Sequence, residues 1–385
     1  MSQDPTPGGK PPSKDAATQG VPGLSGILAP GQQVGRYRIE KLLGLGSMGE
    51  VFLAIDDQLG RNTALKTLGS KHLNNATVKE RFLREARALA RLTHPNLITV
   101  FEAGMIAGTD RPYFAMELLE GGDCQRLLDE RGPLDSGVVA TIGAQAAAAL
   151  SEAAKAGIIH RDVKPANLGI SGRGAVKVTD FSLAKSVAAD KSLTGKGMVV
   201  GTADYIAPEQ ARGEEVDERA DVYSLGCTLF HLLTGKPPFR CKQGTEVQKY
   251  VEVMRAHLTA PIPDPREFVA GVDEDLRVFI ERMMDKNMER RPSLDEAAIA
   301  LAQTAVRLEG DLPRVTRAAI RSATADNTIV ALAHLGERTQ PPHTPPVLVA
   351  PHSSRHSTKR LLAFVGLGLI VGAALAVVAS FFVLR

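Results

Sequence analysis

Cysteine is scarce in this chain, tryptophan is absent, and neither sign of charge prevails. The three cysteines, Cys124, Cys227 and Cys241, are odd in number and far apart. That argues against a disulfide framework and against a zinc site. Reduced thiols fit a cytoplasmic setting. A net charge of +3 gives no reason to expect nucleic acid as a partner. No charged-then-apolar run opens the chain, so no cleavable signal peptide is expected. Residues 1–36 are rich in Pro and Gly and nearly free of aromatics. Such a segment buries too little to offset its ordering entropy, so a disordered arm is expected there. What remains of the 385 residues is ordinary in composition, 44% hydrophobic and 23% charged, and long enough for two or three domains.

The most informative stretch is His160-Arg161-Asp162-Val163-Lys164-Pro165-Ala166-Asn167, followed by Thr179-Asp180-Phe181. It sets two carboxylates, an ammonium and an amide on short loops between predicted strands. Phosphoryl transfer uses such a set: one Asp for the attacking hydroxyl, a Lys for the transferring phosphate, an Asn and a second Asp for a divalent ion. Nearer the N-terminus stands Leu43-Gly44-Leu45-Gly46-Ser47-Met48-Gly49-Glu50-Val51. By itself the glycine pattern fits a dinucleotide fingerprint or a plain hairpin turn. The dinucleotide motif requires a helix directly after the last glycine, and here Val51-Phe52-Leu53-Ala54 reads as another strand. A glycine loop between two strands lets backbone N–H groups approach a triphosphate. Thr63-Ala64-Leu65-Lys66 reads as a third strand. Lys79 to Leu92 has helical periodicity, and a strand is expected to end near Val100.

These motifs together resemble the eukaryotic-like Ser/Thr protein kinases, in their bacterial branch, from Tyr37 to about Ala302. The resemblance implies an α+β, bilobal protein-kinase fold, with a small β-rich N-lobe at 37–118 and a larger helical C-lobe at 119–306. It implies that ATP is held by Leu43, Gly44, Leu45, Gly46, Ser47, Met48, Gly49, Val51, Ala64 and Lys66. Met116 would be the gatekeeper, and Glu117 to Leu119 the hinge on the adenine edge. Lys66 would pair with Glu85, 19 residues on; Glu80 is a competitor that sits less well in the pattern. Asp162 would orient the substrate hydroxyl, with Lys164 beside it. Asn167 and Asp180 would hold Mg2+, or Mn2+ as an alternative. Thr202, in Gly201-Thr202-Ala203-Asp204-Tyr205, would seat the substrate and bridge Asp162 and Lys164, which implies Ser/Thr specificity. Glu209 would pair with Arg291, and Asp221 would hold the catalytic-loop backbone. Arg161 suggests control by an activation-loop phosphate, for which Thr194 and Ser192 are the candidates.

Two positions depart from the family pattern. Ser182 stands where the magnesium loop usually has Gly. Gly169 stands where a large apolar side chain usually forms the floor under adenine. A thin floor and a weaker grip on ATP are therefore expected, with Leu at 169 as the change that would restore it.

After about residue 307 the composition turns basic, with seven Lys or Arg against two Asp or Glu over residues 312–360. Residues 307–360 read as a juxtamembrane linker containing Pro, His, Ser and Thr. Residues 361–384 are 24 without a charge, about 36 Å as a helix against a hydrocarbon core of about 30 Å. A transmembrane helix is expected. Arg355, Lys359 and Arg360 precede it, which keeps the preceding domain in the cytoplasm. Gly368 and Gly372 form a small-xxx-small pair through which two copies could pack, and a homodimer through the kinase domain is the other route.

The reading is a membrane-anchored cytoplasmic Ser/Thr protein kinase, using ATP and Mg2+ on protein substrates and on itself. The alternative is a membrane-tethered pseudokinase scaffold that binds nucleotide with little catalysis. A receptor with an external sensor is not expected, because nothing follows the apolar segment.

Overall fold

The computed structural model describes residues 28–46, 48–181, 200–241 and 243–309. Ser47, Ser182, Ser192, Thr194, residues 1–27 and everything from 310 onward, with the linker, the apolar segment and Gly368 and Gly372, lie outside the described residues.

The first lobe is a six-stranded antiparallel sheet in the order β1-β2-β3-β4-β6-β5. Its strands are β1 Gln33–Val34, β2 Tyr37–Leu45, β3 Gly49–Asp56, β4 Arg61–Leu68, β5 Val100–Met105 and β6 Pro112–Met116. Side chains alternate between the faces. Phe52, Ala54, Leu65 and Ala115 share one face with Tyr37 and Tyr113 in a small core. Val51, Lys66 and Phe114 are cross-strand neighbours on the other face. Helix α1, Ala76–Leu89, begins at Asn75, whose side chain accepts the Val78 N–H. Its apolar stripe, Phe82, Ala86 and Leu89, packs with Phe114 in the main core.

Two differences from the expected elements have simple causes. Ordered structure begins before Tyr37, because Leu28 and Val34 reach the small core, at 8% and 0% exposure, and β1 pairs with β2. The strand expected to end near Val100 instead begins there. The preceding residues cross to the second lobe: Leu97 bridges Val178, and buried Asn96 donates to the Gln145 side chain and the Val176 carbonyl.

The second lobe is helical: α2 Cys124–Arg131, α3 Ser136–Lys155, α4 Pro208–Arg212, α5 Arg219–Thr234, α6 Glu246–Thr259, α7 Glu274–Met283 and α8 Leu294–Glu309. A two-stranded ribbon, β7 Leu168–Ile170 with β8 Val176–Val178, lies against them. Helix α3 is apolar nearly all round, as a helix enclosed by others must be. It is long and apolar enough to cross a membrane, yet 78% of that stretch is buried among α5, α8 and β8. Helix α5 is buried from Ala220 to Thr234. These two helices form the platform on which the polar loops rest.

Candidate active site

Lys66 projects from β4 and ion-pairs with Asp180, Nζ to Oδ1 at 2.7 Å. Burial opposes its charge, but Asp180 and Glu85 together hold the ammonium above its usual range. Asp180 is correspondingly held below the usual carboxylate range, chiefly by the Lys66 charge. Glu85, on α1, is buried. Burial lifts its carboxyl to about 7, against the pull of Lys66. No ion pair within 4.0 Å joins Glu85 to Lys66. The pairing implied by resemblance is therefore open. Lys66 already has a carboxylate at contact distance, and ionising Glu85 in its apolar surroundings is costly.

The catalytic-loop residues are gathered by hydrogen bonds. Lys164 Nζ donates to Asp162 Oδ2 at 2.8 Å. Asn167 Nδ2 donates to the Asp162 carbonyl at 2.8 Å, and to Oδ2 at 3.2 Å. That leaves the Asn167 amide oxygen as an acceptor. Asp221, 2% exposed at the start of α5, accepts the His160 N–H at 2.7 Å and the Arg161 N–H at 2.8 Å. Burial raises its carboxyl, against these stabilising partners. The His160 ring hydrogen-bonds the Thr179 carbonyl at 2.7 Å and lies tilted at 49° to the Phe181 ring, 4.6 Å between centroids. Arg161 and Asp180 both hold positive φ, 64° and 55°. Such backbone costs on the order of 1 kcal/mol or more per residue and persists only where the surroundings impose it. Here the Asp221 carboxylate, the His160 ring and the Lys66 ammonium do so.

Gly49 closes the glycine stretch. A Cβ there would lie 1.8 Å from the Thr67 carbonyl oxygen, so only Gly lets β3 and β4 meet at that point. Leu43, Gly44 and Leu45 lie on the exposed end of β2, and Gly46 N–H donates to the Gly49 carbonyl. Met48 is fixed through its carbonyl, which accepts the Gly69 N–H. Sequence reasoning missed a brace behind this loop. Buried Arg111 pairs with buried Glu50 and donates to the Leu68 carbonyl at 2.8 Å, and Thr67 Oγ1 donates to Glu50 at 3.0 Å. The neighbouring Asp110 accepts Lys79 of α1 at 2.5 Å. Glu50 stood in the quoted glycine motif; nothing in the sequence flagged Arg111.

At the strand end, Ala64 pairs in register with Met116. Glu117 donates its N–H to the Thr99 carbonyl, and its carboxylate takes the Thr99 N–H and Lys177 Nζ, each at 2.7 Å. Among the described residues, the Glu117 carbonyl and the Leu119 N–H form no main-chain hydrogen bond. An acceptor and a donor two residues apart match the edge of a purine. Gly169 does not leave open space beneath: a Cβ there would meet Leu119 Cδ1 at 2.2 Å. The space that a side chain at 169 would take is thus held by the hinge leucine, and Leu at 169 would require the Leu119 side chain to shift.

Farther down, Arg291 and Glu209 form a fork at 2.6 and 2.9 Å, with both side chains almost wholly buried. Thr202 lies in the 3-10 turn Val200–Tyr205; its side chain is not described.

The model of the protein kinase domain family matches residues 37–300. The serine/threonine-protein kinase PknB of Mycobacterium leprae is 39% identical over 282 residues, 73% of this chain and 43% of the relative. A probable serine/threonine-protein kinase of Corynebacterium efficiens, CE0033, is 34% identical over 320 residues, 82% of this chain and 47% of the relative. The chain thus spans less than half the length of these curated relatives. Among solved structures, the PknI kinase domain of Mycobacterium tuberculosis superposes with a TM-score of 0.55 at 28% identity, covering 72% of this chain and 99% of that one.

Proposed function

The chain belongs to the protein kinase family, and from that premise we propose that it transfers the γ-phosphate of MgATP to serine and threonine hydroxyls of proteins, itself included. The observation that carries this is the convergence of Lys66, Asp162, Lys164, Asn167 and Asp180 across one cleft. Asp162 would orient the attacking hydroxyl and accept its proton. Lys164, 2.8 Å from that carboxylate, would offset charge on the transferring phosphate. Lys66 would hold the non-transferring phosphates once drawn from Asp180. The metal fits this donor set. Asp180 stays ionised, and Asn167 turns its amide nitrogen to Asp162, leaving two hard oxygen donors of the kind Mg2+ takes beside substrate phosphates. When bound, the ion would neutralise phosphate charge.

The test is incubation of the purified chain with labelled MgATP beside an Asp162→Asn control, with the label mapped by mass spectrometry. Label on Ser or Thr, including Thr194 or Ser192, and lost in the control, is the expected result. No label on the chain or on a generic basic substrate would leave a nucleotide-binding scaffold as the reading.

For residues 361–384 the proposal is a membrane anchor with the kinase on the cytoplasmic side. The uncharged run and the basic residues before it support this. Anchoring would concentrate copies in two dimensions and favour phosphorylation in trans. Pairing through Gly368 and Gly372 would add to that. Resistance to alkaline carbonate extraction from membranes checks the anchor, and release into the soluble fraction would refute it.

A further inference from the structure

Leu119 and Gly169 lie 50 residues apart in sequence and meet in space. The linker after β6 is laid along β7 as if it were a third strand. Gly121 N–H donates to the Ile170 carbonyl at 3.0 Å, Ile170 N–H donates to the Gly122 carbonyl at 2.8 Å, and Asp123 bridges Gly169. Gly121 permits this approach, since a Cβ there would lie 2.7 Å from Ile170 Cγ2. The ladder fixes the Leu119 backbone close to β7.

Alternation along β7 sends Leu168 into the core, where it is fully buried, and points residue 169 the opposite way. On that side a Cβ would meet Leu119 Cδ1 at 2.2 Å and Thr179 Cγ2 at 3.5 Å. Thr179 directly precedes Asp180. The Leu119 isobutyl group therefore occupies the space that a side chain at 169 would take, on the side of β7 nearest the hinge and Asp180. The linker is tied to β7 by main-chain bonds, which set where the Leu119 side chain starts. Its side chain packs against the main core while remaining partly exposed.

We propose that Leu119 supplies the apolar floor under the adenine ring, so that one hinge residue contacts the purine's edge through its backbone and its lower face through its side chain. The upper wall would be Val51 and Ala64. The proposal rests on the nucleotide reading of this cleft given above. It makes residues 119 and 169 a reciprocal pair: one large side chain between them satisfies the floor, a second must displace the first, and none leaves a gap. Nucleotide affinity should then depend on the pair rather than on either residue.

The experiment uses the full chain and measures the dissociation constant of mant-ATP, with the ATP KM, kcat and the melting temperature alongside. Leu119→Ala is expected to raise the dissociation constant about tenfold, a loss of about 1.4 kcal/mol, mainly through KM. Gly169→Leu is expected to weaken binding comparably by displacing the Leu119 side chain from its place. The double variant, Leu119→Ala with Gly169→Leu, should return to within about threefold of the parent. Leu119→Met, which keeps the volume, should bind as the parent does. An unchanged dissociation constant for Leu119→Ala, with only the melting temperature lowered, would show that Leu119 merely seals the joint between linker and lobe, and would overturn the proposal. A double variant no better than the weaker single variant would do the same. Lys66→Met separates the two levels of inference. If it turns over like the parent, the nucleotide reading of the cleft fails first.

Discussion

Replacing Glu209 by Gln removes one charge from the most enclosed ion pair in the described structure while nearly conserving volume. Arg291 is 0% exposed in its side chain and Glu209 3%. The guanidinium also donates to the Asp285 and Arg219 carbonyls, at 2.8 and 2.9 Å, and lies 4.9 Å from the Tyr223 ring. Those contacts survive the substitution, but the charge loses its counter-ion in a place water does not reach. Losing one partner of such a pair typically costs about 3–5 kcal/mol. In a protein of this size that corresponds to roughly 6–20 °C in melting temperature. An internal comparison is available in Arg126–Glu130, whose side chains are 66% and 57% exposed. Glu130→Gln should cost about 1 kcal/mol or less, because solvent screens that pair. Urea unfolding of the two variants at one pH gives the comparison directly. If Glu209→Gln costs no more than Glu130→Gln, the claim that this pair is electrostatically isolated is wrong.

Three further expectations follow from the same geometry. Asp221→Asn substitutes an amide for the carboxylate that takes the His160 and Arg161 N–H groups; kcat should fall about tenfold or more with little change in KM, while equal loss in both would contradict a positioning role. His257 is fully buried against Tyr223, Phe239 and Lys286, and burial lowers its pKa to about 3. The unfolded chain protonates it first, so stability should fall as pH drops from about 6.5 toward 3, by a few kcal/mol at most. Glu85 acts in the opposite sense. Its raised native pKa adds stability below about 4.5, and that stability is lost as pH rises through about 7, so His257→Gln should flatten the acid limb of the stability curve and leave the neutral limb in place. Arg111→Met should raise the ATP KM by several-fold through loosening of the glycine stretch, with Thr67 and Glu50 left buried and poorly matched, as steady-state kinetics would show.

The sequence made the bilobal architecture legible because local chemistry leaves few choices. Glycines at 44, 46 and 49 followed by Val51 demand a strand on each side, and Asp162, Lys164 and Asn167 fall on one short loop whatever the rest does. Distances set by packing between lobes were not legible. Whether Lys66 reaches Asp180 or Glu85 depends on where α1 settles against the sheet, which no local pattern specifies. The occupant of the space beside Gly169 is decided by a residue 50 positions earlier. The start of β5 was misplaced because the apolar run at Leu97-Ile98 looks like strand but serves to dock on β8. Arg111 is a lone cation in a hairpin, and only the fold reveals the buried carboxylate behind it.

That hairpin has a mechanical consequence. Asp110 grips helix α1 through Lys79, while Arg111 grips the glycine stretch through Glu50. Two adjacent residues thus tie two separate parts of the first lobe to the same turn. The Arg111–Glu50 grip is buried whereas the Asp110 carboxylate is largely exposed, so the turn holds the glycine stretch more firmly than it holds α1.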